Sequence, residues 1–411
     1  MKKTLLGLLS LILVCACAHE TNVISSHSLL PVPQDMQTTK GHFTVSEGTK
    51  LYISAPADDK IAIANAFAAW SGLLEATEEK ATANCIAMEI CDNVANVTSP
   101  EGYTINVTKE RIDVKATTAA GLFYAAQTQQ QLADGGNTIP ACTITDEPQF
   151  AYRGLMLDVS RHFFGKEFVK KQIDAMAHFK MNRLHLHLTD AAGWRIEIKK
   201  YPRLTTVGAT RSNNWITDRY YGGYYTGEPY GPYFYTQEQC REIVAYAAER
   251  HIEVVPEVEF PGHSCAVNAA YPELSCNPNA GHSVQISGGI FSDVLNVASP
   301  LVLQFAKDVL DEIIEVFPYS QIHIGGDETP TNAWQGNAEC QAMMQELGFT
   351  NYRQLQSHFV RQVSDYVTSK EGDKKRTVIM WNESLTAGGT DEEKILGTGG
   401  TMMCWEIGNA Q

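Results

Sequence analysis

Residues 153–190, "RGLMLDVSRHFFGKEFVKKQIDAMAHFKMNRLHLHLTD", decide the architecture. An apolar, strand-length run, "GLMLDVS" (154–160), gives way to "EFVKKQIDAMAHF", whose apolar residues recur at helical spacing, and then to a second strand-like run, "NRLHLHLTD" (182–190). A strand, a helix and a strand of this kind make one parallel βαβ unit. The unit repeats along the chain: further strand-like runs are "IEVVPEVEF" (252–260), "QIHIGGDE" (321–328), "TVIMWNE" (377–383) and "TMMCWEIG" (401–408). Helical segments such as "QEQCREIVAYAAER" and "LVLQFAKDVLDEIIEVF" lie between them. The pattern predicts an α/β fold, a (β/α)8-type TIM barrel over 149–411, whose site is built at the carboxyl ends of its strands. Six strands are counted where a closed barrel needs eight, so the barrel is expected to be incomplete, truncated before its last two strands.

Upstream, over 25–148, the text mixes strands and helices and predicts a small α+β accessory domain. "LYISA" reads as a strand and 60–76, "KIAIANAFAAWSGLLEA", as a helix. "YTINV" and "RIDVKA" read as a hairpin turning at Lys109 and Glu110. "TAAGLFYAAQTQQQLA" reads as an amphipathic helix. No cluster of acids, histidines or glycine loops marks this domain, so its role is that of a scaffold.

Composition narrows the classes of function. A formal charge of -15 and the lack of a basic stripe argue against nucleic acid, which requires clustered Lys and Arg. A 44% hydrophobic content is ordinary for a globular protein with a large core. The first seventeen residues run from Met-Lys-Lys into "TLLGLLSLILVCAC", the layout of an export signal too short to span a membrane. "VCAC" resembles a bacterial lipoprotein box with Cys17 as the lipidated residue. The expectation is an exported protein, lipid-anchored in the cell envelope (periplasm or outer membrane) of a Gram-negative bacterium; an ordinary cleaved signal is the alternative. Pairing of Cys85 with Cys91 or of Cys265 with Cys276 is the disulfide expectation for such a compartment.

The strand ends collect chemistry. Arg153 stands just before the first strand, Asp190 after the second, and Glu257, Glu259 and His263 after the third. Asp327 and Glu328 follow the fourth; Trp381 and Trp405 lie on the fifth and sixth. Acids, an arginine, a histidine and tryptophans suit a neutral polyhydroxylated ligand, since indole faces stack on sugar rings and charged groups bond hydroxyls. For any one acid a solvated or salt-bridged surface residue is the blander reading; the set as a whole favours a site. No metal and no cofactor is called for.

"RGLMLDVSRHFF", "MNRLHLHLTDAAGWRIEI", "YTQEQCREIVAYAAERHIEVVPEVEFPGHS", "IHIGGDE" and "VIMWNES" together resemble the successive barrel motifs of the glycoside hydrolase family 20 β-N-acetylhexosaminidases, and the α+β domain resembles that family's accessory domain. The resemblance implies an exo-acting enzyme that releases terminal β-linked GlcNAc or GalNAc from N-acetylhexosamine-containing oligosaccharides or glycoconjugates. It implies a retaining, substrate-assisted mechanism in which the sugar's own acetamido oxygen is the nucleophile. Glu328 then matches the acid/base, which needs a raised pKa, and Asp327 the residue that orients the acetamido group. Arg153 matches a binder of ring hydroxyls, Asp190 and His263 a polar network near the acid, and Trp381 and Trp405 the walls around the acetamido methyl.

The chain departs from the family pattern in places. Ala191 and Ala192 stand where many relatives have Asp and Gln, and Glu259 where many have Asp. The motifs of a seventh and eighth strand are missing, which leads to the expectation that these 411 residues alone would be inactive or unstable. Two rivals remain. His185 and His187 share a strand face and, with His263 and His323, could enter a metal hydrolase site; alternatively the scaffold could be a sugar-binding pseudoenzyme. The Tyr-rich stretch 218–236 reads either as a loop over the pocket rim carrying further sugar subsites or as a plain packed loop.

Overall fold

The computed structural model describes residues 29–218, 222–370, 375–385, 390–397 and 399–405. Cys17 and the export segment therefore lie outside the described residues. No helix among those described is long and apolar enough to cross a membrane.

The amino-terminal domain is a seven-stranded mixed sheet. In spatial order its strands are Asp35–Thr44, Thr138–Asp146, Tyr103–Val107, Arg111–Ala116, Cys85–Ile90, Thr49–Ser54 and Leu74–Thr77. The expected hairpin forms, with Val107 opposite Ile112, and the helix Ala119–Ala133 begins at a Thr118 cap whose side chain accepts from the Gly121 N–H. The helix expected over 60–76 is shorter: it spans Ala57–Ala66, a single 3-10 turn covers Ala68–Trp70, and Leu74–Thr77 pairs in parallel with Thr49–Tyr52. Trp70 anchors the break by donating its indole N–H to the Gly136 carbonyl at 2.8 Å. Helical spacing continued past Phe67, but an available sheet edge won the backbone of Leu74–Thr77.

The second domain is an incomplete (β/α)8-type barrel. Its strands are β1 (Gly154–Asp158), β2 (Arg183–His187), β3 (Glu253–Glu257), β4 (Gln321–His323), β5 (Thr377–Trp381) and β6 (Thr401–Met403), paired in parallel in that order. Helices α1 (Lys166–His178), α2 (Gln237–Ala248), α3 (Pro300–Val316), α4 (Arg353–Thr368) and α5 (Thr390–Gly397) connect them. The strands are shorter than their apolar runs: beyond β2, Thr189–Asp190 pairs back on Gly193–Trp194, and beyond β5, Asn382–Leu385 forms a 3-10 turn. That geometry serves function: Val258–Phe260 and Ile324–Glu328 leave the ladder at the carboxyl edge, where side chains no longer need to alternate.

The helices face the sheet for the reason their spacing gives. In α3, Val302, Phe305, Ala306, Val309, Leu310, Ile313 and Val316 are buried, an i, i+3, i+4, i+7 stripe, and Pro300 opens the helix where its missing N–H costs nothing. In α2, Thr236 and Gln239 form a reciprocal capping box.

Neither expected disulfide is present. Cys85 begins the strand Cys85–Ile90 and Cys91 follows it, so six residues of extended chain at about 3.3 Å each hold them roughly 20 Å apart, far beyond the ~7 Å a bridge spans. Cys265 points its sulfur at the Asp293 carbonyl, 4.0 Å away, not at Cys276.

Candidate active site

The carboxyl edge of β1–β5 gathers one connected set of ionisable side chains. Asp190, three residues beyond the paired part of β2, is fully buried and central. One of its oxygens receives Arg161 Nη2 at 2.6 Å and His187 Nε2 at 3.3 Å, and the other faces His263 Nδ1 at 3.3 Å. His187 turns its other nitrogen to Glu257 at 2.6 Å. Burial works against a charge on His187, but Glu257 and Asp190 on its two sides raise its pKa well above the ordinary histidine value. Burial likewise disfavours the Asp190 carboxylate, yet the His187 hydrogen bond, the nearby His263 imidazole and the charge of Arg161 hold its pKa below the usual range.

Glu257 organises the layer beneath. Besides His187 it lies 2.7 Å from His185 Nε2 and 3.2 Å from His323 Nδ1, and its Oε1 accepts the Trp381 indole N–H at 2.7 Å. The facing imidazoles depress its pKa despite complete burial. Trp381 in turn packs its ring against His323, with centroids 4.6 Å apart. His323 accepts the Gly325 N–H at Nδ1, which makes it the neutral Nε2–H tautomer, and burial pushes its pKa down to about 3.

Asp327 and Glu328 lie beyond β4, in a turn and not on the strand. Gly325 and Gly326 turn with φ of 66° and 95°, and Glu328 itself is left-handed at 42°. Side chains are excluded at both glycines: a Cβ on Gly325 would run into the Glu259 carboxylate and one on Gly326 into the Ser384 hydroxyl. The Gly326 carbonyl accepts from Gln356 at 2.6 Å, and the Gly325 carbonyl from the Trp381 backbone N–H at 3.0 Å. The Glu328 N–H is held by Glu383, at 2.9 Å. This turn brings both neighbouring acids to one imidazole: His263 Nε2 is 3.5 Å from Glu328 and 3.8 Å from Asp327. These are ion-pair separations without hydrogen-bond alignment, so both His263 nitrogens and Asp327 Oδ1 remain buried polar atoms lacking an aligned partner. Burial raises the pKa of Asp327, with His263 opposing the shift and Glu257 adding to it.

Glu259 is enclosed among acids. Burial first, then the charges of Asp327 and Glu257, raise its pKa well above the carboxylate range. Its Oε2 accepts the Gly326 N–H at 3.1 Å, while Oε1 is another buried atom without a partner.

Arg153 is not part of this constellation. It precedes β1, and in a parallel sheet a residue before a strand lies at the amino-terminal edge, opposite the site. There it pairs with Glu101 of the first domain at 2.8 Å and donates to the Lys180 and Phe150 carbonyls. The guanidinium at the carboxyl edge is Arg161, three residues past the end of β1, joined to Asp158 and Asp190 at 2.8 and 2.6 Å. Strand direction alone, applied to "LDVSRHFF", would have selected it. His187 and Glu257 were legible as polar residues on strands, but their mutual contact was not, and Glu383 of "WNES" carried no signal of its own. Trp405, two residues beyond the outermost strand β6, is 51% exposed. Ala191 and Ala192 are buried, and the Ala192 carbonyl accepts from both Arg195 and Arg211.

The Tyr-rich segment divides, and Arg219–Tyr221 lie outside the described residues. Tyr230 sits under the Arg211 guanidinium, 4.2 Å from ring centroid to carbon, and Tyr233 stacks on Phe163. Tyr224 and Tyr225, on the hairpin Trp215–Asp218 and Gly222–Tyr225, are more than half exposed.

Three acid–histidine groups bring their donor atoms within 4.8 Å: His185, Glu257 and His323; His187, Glu257 and Glu259; and His263, Asp327 and Glu328. In the first two, Glu257 stands 2.7 and 2.6 Å from an imidazole nitrogen. Two ligands on one tetrahedral zinc ion sit about 3.3 Å apart, so both contacts are closer than two ligands of one ion, and that of His187 is a hydrogen bond.

Surplus carboxylates around one imidazole and one guanidinium, with an indole beside them at the carboxyl edge of a parallel barrel, define a glycoside-hydrolase type of site. The comparisons agree. Residues 150–411 match the model of the glycosyl hydrolase family 20 catalytic domain, and 26–147 that of the family's domain 2. The chain is 38% identical over 392 residues to a β-hexosaminidase of Porphyromonas gingivalis, covering 92% of this chain and 47% of that one. It is 36% identical to a β-hexosaminidase of Vibrio furnissii, covering 87% and 57%. Among solved structures, the family 20 exo-β-N-acetylglucosaminidase of Vibrio harveyi in complex with N-acetylglucosamine superposes with a TM-score of 0.77 at 30% identity, over 94% of this chain and 58% of that one. The β-N-acetylhexosaminidase of Bacteroides fragilis gives 0.76 at 30% identity, over 93% and 71%. The chain belongs to glycosyl hydrolase family 20. It spans about half the length of the curated relatives it matches.

Proposed function

We propose that the protein carrying this chain is an exo-acting β-N-acetylhexosaminidase that removes terminal β-linked GlcNAc or GalNAc with retention, by a substrate-assisted route. The observation that carries the reading is the turn at Gly325–Glu328, which sets two adjacent acids against His263 and leaves Asp327 Oδ1 buried without a partner. A carboxylate oxygen so placed can accept the acetamido N–H of a bound sugar and offset the positive charge of an oxazoline as the acetamido oxygen attacks C1. Glu328 donates its proton to the departing glycosidic oxygen and later takes one from the incoming water. His263, touching both acids and backed by Asp190, steadies the charge there as the proton moves. Arg161 offers its remaining donors to sugar hydroxyls, and Trp381, fixed through its N–H by Glu257, presents an apolar wall.

The amino-terminal segment supports a further part of the proposal, that the enzyme is exported and anchored by a lipid on Cys17. Labelling with a radioactive fatty acid, lost on Cys17→Ser, checks it.

The catalytic reading is tested on the full-length protein with an aryl β-GlcNAc glycoside. Glu328→Gln is expected to lower kcat by about 10²–10⁴-fold, the range of a lost general acid. Asp327→Asn is expected to cost about 10²–10³-fold, as for loss of one charge-stabilising group. Equal rates in wild type and both variants would sink the mechanism.

A further inference from the structure

The loop after β3 carries Cys265 and Cys276, and the loop after β4 carries Cys340. Cys276 lies in the β3–α3 connection downstream of His263, and Cys340 in the short helix Ala338–Glu346, downstream of Asp327 and Glu328. One side chain ties the two segments together: Asn337 caps that helix by accepting the Cys340 N–H at 3.0 Å, and its Nδ2 donates to the Cys276 carbonyl at 3.0 Å. The sulfurs converge on consecutive residues. Cys276 Sγ meets the Leu295 carbonyl at 3.8 Å, and Cys340 Sγ meets Asn296 Oδ1 at 3.3 Å. Cys340 is fully buried, whereas Cys276 is partly exposed and lines a cleft of about 270 Å³ that it shares with His282 and Asp293.

We propose that Cys276 and Cys340 are a disulfide-forming pair, which in the presence of an oxidised thiol partner pins the loop after β3 to the loop after β4. The inference is independent of the hydrolytic activity proposed above. The route follows from exposure. Cys276, reached from the cleft, loses its proton and attacks a small-molecule or protein disulfide, X–S–S–X, giving Cys276–S–S–X and one X–S⁻. Cys340 then attacks the Cys276 sulfur and expels the second X–S⁻, so that two thiols are oxidised, one disulfide is reduced and the two protons pass to the released thiolates. The neighbouring Cys340 and burial raise the Cys276 pKa, so the first attack is expected to quicken as pH rises. The bridge closes a long loop and so removes freedom chiefly from the unfolded chain.

The test uses the full chain equilibrated with oxidised glutathione, then quenched, alkylated and mapped by mass spectrometry. The expected result is a Cys276–Cys340 peptide pair lacking two hydrogens, with a melting temperature about 5–8 °C above the reduced protein. Cys340→Ser is expected to trap glutathione on Cys276, and Cys276→Ser to leave Cys340 unmodified in the folded protein. Free alkylation of both thiols after oxidation, or glutathione on wild-type Cys276 with no bridged pair, would overturn the proposal.

Discussion

The two edges of the parallel sheet are built from the same residue types and do different things with them. At the amino-terminal edge, Arg153 meets Glu101, and Lys180 meets Asp146 at 3.1 Å and the Tyr103 hydroxyl at 2.7 Å. Asn182 closes the set on Glu101 and the Ala151 carbonyl. These side chains bridge the two domains, and none of them leaves a buried polar atom unpartnered. A void of about 510 Å³ lies beside them, but the cations lining it are already paired. At the carboxyl edge acids outnumber cations, and His263, Glu259 and Asp327 all retain unpartnered buried atoms. At the amino-terminal edge the charged side chains are paired, although the Tyr124 hydroxyl and His251 Nε2 stay buried without a partner; at the carboxyl edge the carboxylates and the imidazole between them are themselves left incomplete, as in a site that waits for a ligand.

The contrast can be broken most directly with its two arginines. Arg161→Ala is expected to lower kcat/KM by about 10²–10³-fold, since it removes a sugar donor and uncovers Asp190. Arg153→Ala is expected to leave kcat/KM within about threefold of wild type and to lower stability by about 1–3 kcal/mol, because part-buried Glu101 loses its Arg153 ion pair and keeps only the Asn182 hydrogen bond. Equal kinetic losses in the two variants would abolish the distinction between the edges. Steady-state kinetics and urea denaturation of each variant supply both readouts.

A middle-sized effect is expected at the turn. Gly325→Ala places a methyl against the Glu259 carboxylate at a left-handed φ and should cost about 2–4 kcal/mol, with activity falling as Asp327 and Glu328 shift. Retained activity and unchanged denaturation would show that the turn is not held as tightly as its contacts indicate.

The smallest effect concerns Glu259. Its folded pKa lies above its unfolded value, so folding favours the protonated form. That contribution is complete below about pH 4.3 and is lost as pH rises from there through the folded value. Glu259→Gln removes the loss and is expected to stabilise the protein at pH 8 by about 1 kcal/mol and to change little at pH 4. Denaturation at the two pH values checks the sign, and equal effects at both would refute a neutral Glu259.

Much of this was legible without coordinates. The alternation of apolar runs and helical periods from residue 154 onward fixes a parallel α/β sheet, because each period buries only one geometry of face. Polar residues clustering at the ends of those runs mark the edge where the site lies. The run "QIHIGGDE" reads as a strand to its end, and only the structure shows that Gly325 and Gly326 turn the chain at positive φ before Asp327 and Glu328. Three-dimensional packing decided the rest. Arg153 and Arg161 differ by eight positions and are equally charged, and only the direction of β1 separates a domain bridge from a site residue. The convergence of His185, His187 and His323 on Glu257 comes from register across three strands, as does the bond from Glu257 to Trp381, and no local pattern encodes it. Asn337 likewise reaches from the helix of Cys340 to the Cys276 carbonyl, a contact set by how two loops fold back on the sheet and not by their distance along the chain.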